Sequence, residues 1–137
     1  MLENVYDDGT DIDQQGTAYG LVRNIETYQF AFIAHLMRSL LGITNVLSQF
    51  LQKKNLDIIE AMNLVRSCKK RIQRLRENGW DQLVGDVNKF CAENKLAIVK
   101  MEDTVNDRLH CRNGNITNYH YYRVQIFCQV IYFSFSV

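Results

Sequence analysis

The sequence predicts an all-α fold, an irregular bundle of four to five helices, on three observations. Apolar residues recur at three- and four-residue steps in successive segments, helix-start and helix-stop residues separate those segments, and none of the 137 residues is proline. The length allows one buried core and is too short for two. With 47% hydrophobic and 23% charged residues, the composition is that of a globular protein and not of a disordered tail.

Residues 1–16 collect Asp7, Asp8, Gly9, Asp11 and Asp13 without apolar periodicity, so they are expected to form an acidic flexible lead-in. Their charge excludes a signal peptide or an arginine-rich transit peptide. Residues 17–94 are expected to be the helical bundle region. Leu21, Ile25, Tyr28, Phe32, Leu36 and Leu40 form one stripe on a long first helix, which Gly42 is expected to end. Thr44 would cap a short second helix with Val46, Leu47, Phe50 and Leu51 on its apolar side.

Asp57 and Glu60 stand at capping-box spacing and open a third helix. Its residues Ile58, Ala61, Val65, Cys68, Ile72 and Leu75 make one narrow seam, the clearest periodicity in the chain. Asn78-Gly79 is read as a left-handed stop, after which Trp80, Leu83, Val84, Val87 and Phe90 start a fourth stripe in a helical hairpin. Trp80 is the expected structural anchor of that hairpin. Residues 95–118, with Arg112-Asn113-Gly114-Asn115, read as a long surface loop. Residues 119–137 read as an aromatic-rich terminal helix, with Tyr119, Tyr122, Ile126, Val130 and Phe133 on one face to about Tyr132, while Phe133-Ser134-Phe135-Ser136-Val137 also alternates like a strand.

The net charge of +1 creates no global pull toward nucleic acid or an acidic membrane. The apolar run 124–137 is shorter than the ~20 residues that span a bilayer, and Gln125, Gln129, Ser134 and Ser136 interrupt it, so no membrane partner is expected. Cys68, Cys91, Cys111 and Cys128 are widely spaced with no CxxC pair, which fits free thiols in a reducing compartment.

Candidate chemistry is sparse. Asp11, Asp13, Gln15 and Gly16 imitate the start of an EF-hand loop, but Val22 occupies the position of the bidentate glutamate, so calcium is not expected. His110, Cys111, His120 and Cys128 are too scattered for a structural zinc site. His35 sits beside the apolar stripe and is read as a boundary residue with a backbone partner. No nucleophile elbow or phosphate-cradling glycine loop is present, and no cofactor or small-molecule substrate is expected. The strongest local signal is basic: Arg66, Lys69, Lys70, Arg71, Arg74 and Arg76 are six cations within eleven residues. They are either a phosphate-contacting stripe for DNA or a solvated face that also complements the helix dipole.

The stretches AFIAHLMRSLLGITNVLSQFLQKK, RENGWDQL and NYHYYRV carry a resemblance, over about Asp8 to Val130, to hAT-superfamily transposase-derived proteins of the zinc finger MYM-type-like or TTF-type kind. The resemblance implies a helical insertion within an RNase H-like core, a nuclear location and no catalytic residues in this stretch. The ending IYFSFSV departs from the family pattern and is expected to reflect a truncated reading frame. Exposed Phe127, Ile131, Phe133 and Phe135 would then promote aggregation. The leading expectation is a non-catalytic fragment of a transposase-like protein, a helical scaffold that contacts DNA or protein. The alternative is a freestanding protein-interaction module that docks through the third helix's seam or the aromatic tail.

Overall fold

Thr27 divides what the apolar pattern reads as one long first helix. Its backbone is extended at φ −100° and ψ 148°, its Oγ1 accepts from the Phe30 amide at 3.2 Å, and its hydroxyl donates to the Asn24 carbonyl at 2.7 Å. One side chain thus satisfies the start of one helix and the end of another. A computed structural model describes residues 12–55, 57–105 and 116–135. In it α1 runs Ile12–Ile25, within the stretch expected as lead-in for its first turn, and α2 runs Tyr28–Leu51. The continuous first helix is therefore corrected at its middle.

Gly42 is corrected as well, because α2 passes through it unbroken. Space around its Cα is open, so the position tolerates glycine but does not need it. The helix propensity lost, about 1 kcal/mol, is smaller than the burial gained by Leu40 and Ile43 on either side. Thr44 caps nothing: its hydroxyl donates back to the Leu40 and Leu41 carbonyls, both at 3.3 Å.

Helices α3, Ile58–Asn78, and α4, Trp80–Glu93, follow the expected order. Gly79 between them does not take the left-handed conformation. It sits at φ −85°, ψ −6°, and glycine is required for closeness: a Cβ there would lie 2.5 Å from the Leu75 carbonyl oxygen. The positive φ appears instead at Lys95, φ 58°, past the end of α4. There Leu96 N–H donates to the Cys91 carbonyl at 2.8 Å and Lys95 N–H to that of Ala92 at 3.3 Å, a Schellman pair that turns the chain back.

The described residues between Leu96 and Asn118 lack helix, yet the ends of this segment are tied together. Val105 N–H donates to Ile116, Asn118 N–H to Asp103 and Tyr119 N–H to Met101, at 2.9, 2.8 and 2.9 Å, around an isolated Thr104–Thr117 bridge. Residues 106–115, with His110, Cys111 and the turn expected at Arg112–Asn115, lie outside the described residues.

The last helix, α5, is continuous through Asn118–His120, Tyr121–Cys128 and Gln129–Phe135, and its middle part is π-helical. This changes its buried face. An α-helix sets residues five apart roughly 140° around the axis, whereas a π turn closes at i+5 and brings them together. Tyr122 and Phe127, five apart, are both buried, and Ile131 follows one turn later. The face expected from a 3.6-residue period, through Ile126 and Val130, is only half-buried.

These elements form an all-α, five-helix irregular bundle with no β-sheet among the described residues. Helix α2 is central: it packs on both α3 and α4, and its Phe32 and Leu36 are fully buried. Phe32, Trp80, Tyr122 and Phe127 close one end as an aromatic cluster, with ring centroids 5.1–5.8 Å apart in tilted or edge-on pairs. Phe127 and Ile131 have no exposed surface, so the aggregation expected of them is corrected: the chain's own core covers them. The side chains of Phe133 and Phe135 lie outside the described residues.

Tyr28 donates its hydroxyl to Asn88 Oδ1 at 3.0 Å. Burial, with Cys91 adding to it, pushes the Tyr28 phenol up to about 12. Helix α2 is also long and apolar enough to cross a membrane by length and composition, a property the apolar run at 124–137 lacks. One side of α2 forms the bundle core, while Phe30, Ile33, Met37 and Leu41 line its outer side.

Candidate functional site

Helix α3 begins because Asp57 Oδ1 accepts the Ile59 amide at 2.8 Å, an N-cap bond to the second helical residue where the expected capping box would engage Glu60, and because Glu60 adds negative charge to the first turn. From that start the seam splits. Cys68 and Ile72 are buried against α2, the Cys68 thiol donating to the Ile43 carbonyl at 3.5 Å, and Leu75 is half-buried. Ile58, Ile59 and Met62, in the first turns, are 69%, 72% and 59% exposed. Burying or exposing one such side chain differs by about 1.5–3 kcal/mol, so three together are a surface with a large unused driving force.

A groove of about 400 Å³ runs along this part of α3, lined by Ile58, Ala61, Met62, Val65, Arg66 and Lys69. Its floor is apolar and its far end basic. Each residue advances about 100° around the axis, so Lys69 and Arg76 stand roughly 60° and 80° to one side of Arg66, in the groove's sector. Lys70 and Arg74 flank the other side, and Arg71 points farther around. Of the six cations, Arg66 and Lys69 line the groove, and Arg76, by its helical position, falls on the same side of α3 two turns farther along. All six cations are exposed. Arg66 donates to Asn63 Oδ1 at 3.2 Å, and Glu77, on the Lys70 side of Arg66, is engaged by the Gln73 amide.

A second concavity, about 470 Å³, lies where Phe30, Ala34, His35 and Arg38 of α2 meet Phe90 and Asn94 of α4. His35 has the backbone partner expected of it, 2.8 Å from Nδ1 to the Ala31 carbonyl. A carbonyl can only accept, so Nδ1 is the donor and carries hydrogen. The ring meets Phe90 edge-on at 5.2 Å, which accounts for a histidine at the core boundary without chemistry.

Trp80 is 8% exposed, placed in the aromatic cluster and turned away from solvent. Above it lies a residue that periodicity does not single out. Arg123, on the π-helical part of α5, sets its guanidinium 5.1 Å from the Trp80 ring centre and 5.5 Å from that of Phe127. Its Nη1 is buried without a hydrogen-bond partner among the described residues. The ring faces supply part of the stabilisation that a carboxylate would otherwise give.

Cys68, Cys91 and Cys128 are free thiols. Burial pushes the Cys91 thiol up, which keeps it protonated and a poor nucleophile. Among the described residues no group of three or more His, Cys, Asp or Glu side chains could hold a metal ion. Asp11, His110 and Cys111, and the side chains of Asp13 and Gln15, lie outside those residues.

Comparison with known proteins gave no matching family model, no similar curated protein and no similar solved structure. The likeness to hAT transposase-derived proteins rests on the sequence stretches quoted above. Sequence reasoning missed Ile59 and Met62 as surface residues. The signal was present in the adjacent Ile58-Ile59 pair with Met62, which makes the apolar arc wider than one seam needs.

Proposed function

We propose that this chain is a helical protein-interaction module that docks a partner on the first turns of α3 and carries no catalytic machinery. One observation supports this reading above the rest: Ile58, Ile59 and Met62 project from the helix, largely exposed, beside a groove whose walls the same helix supplies. A core that already buries Phe32, Leu36, Phe127 and Ile131 completely does not need these residues for folding. Such a groove suits an amphipathic helix laid along it with anchors at three- and four-residue steps.

The reading is tested by titrating methyl-labelled protein with a charge-neutral amphipathic peptide of about 18 residues, long enough to hold helix. Methyl shifts should gather at Ile58, Ile59, Met62 and Val65. Shifts absent there, or confined to the outer side of α2, would contradict it.

A scaffold of hAT transposase-like origin, nuclear and touching DNA, is a second proposal. The six exposed cations of α3 favour it as a phosphate-facing surface, and the sequence resemblance alone supplies its nuclear location and its place in an RNase H-like core. Glutamine at Lys70, Arg71 and Arg74 should then lower the salt dependence of DNA binding with helical content unchanged, and an unchanged slope would reject it.

A further inference from the structure

We infer that the partner of α3 is an amphipathic helix with acidic side chains in one half, recognised by Arg66, Lys69 and Arg76; this rests on the docking reading above. The groove has apolar anchors at one end and cations at the other, on a single helical face. By a rise of 1.5 Å per residue, Ile58 to Arg76 spans about 27 Å, which a partner helix of about 18 residues would match. The anchors Ile58, Ile59 and Met62 lie in the first turns, while Lys69 and Arg76 follow roughly 10 Å and 21 Å beyond Met62. A partner must therefore be apolar over one half and negatively charged over the other.

The same face argues against duplex DNA as its occupant. A phosphate backbone offers nothing to cover three exposed apolar side chains, whereas a helix with an apolar half covers them. The chain's net charge of +1 adds no general attraction for polyanions, so recognition has to be local.

Three peptides with one shared apolar stripe and acidic, neutral or basic residues in the second half separate these cases, with a mixed-sequence DNA duplex as a fourth ligand. At near-physiological salt the acidic peptide should bind about tenfold more tightly than the neutral one, and the advantage should shrink as salt rises. The triple variant Arg66→Gln, Lys69→Gln, Arg76→Gln should remove that advantage, so that the acidic and neutral peptides bind alike, with the circular dichroism spectrum confirming helix. Equal binding of acidic and neutral peptides overturns the charge recognition while leaving the apolar docking intact. If no peptide binds, the docking reading itself fails. Duplex binding that the triple variant abolishes, with no preference for the acidic peptide, assigns the cations to nucleic acid.

Discussion

Ile58 and Ile72 are the same residue on the same seam of the same helix, yet one is 69% exposed and the other 5%. The difference lies in their surroundings. At Ile72 the seam meets the bundle core under the aromatic cluster; at Ile58 it has run past its neighbours into the groove. Periodicity reports which residues share a face, while depth depends on where the neighbouring helices end. A stripe longer than its neighbour is where a fold keeps apolar surface for contact with something else.

The aromatic end should be the harder one to disturb. Trp80→Ala removes a ring that contacts Phe32, Tyr119, Phe127 and the Arg123 guanidinium, and should cost about 3–5 kcal/mol in urea unfolding. Replacing Ile59 with serine at the open end should change stability by less than about 0.5 kcal/mol. Comparable losses at the two sites would erase the contrast between the two ends.

Alkaline pH probes the packed end without mutation. The Tyr28 phenol ionises near 10 when unfolded and at about 12 when folded, so its contribution is intact below pH 10 and is lost as pH rises through 12. The loss is on the order of 2–3 kcal/mol. Burial shifts Tyr122 in the same direction. Tyr28→Phe should flatten the fall in melting temperature between pH 10 and 12; an unaltered profile would show that Tyr28 is not buried as described.

How much of this was legible in the residues differs from place to place. The fold class, the Asp57 helix start and the stripes of α3 and α4 followed from spacing, because each rests on local geometry. Thr27 was missed because its neighbours continue the stripe across it, and a cap is detected only when the apolar pattern pauses. The π-helical segment hid itself for a related reason: Tyr122 and Phe127 share a face only after the helix period changes. The basic cluster was legible as charge but not as a shape, since its division between groove and flank depends on which side of α3 the bundle buries.

Two glycines sharpen the distinction between need and tolerance. Gly79→Ala should cost about 1–3 kcal/mol, because the added methyl meets the Leu75 carbonyl. Gly42→Ala should stabilise by about 0.5–1 kcal/mol, because α2 is continuous there and nothing stands in the way. If Gly42→Ala destabilised instead, the passage of α2 through that position would be wrong.

The central claim, that one seam of α3 is core at one end and open surface at the other, is tested most directly by a paired measurement of unfolding free energy for Ile72→Ala and Ile58→Ala. A loss of about 2–4 kcal/mol is predicted for the first and less than about 0.5 kcal/mol for the second. Equal losses, or a larger one at Ile58, would contradict it.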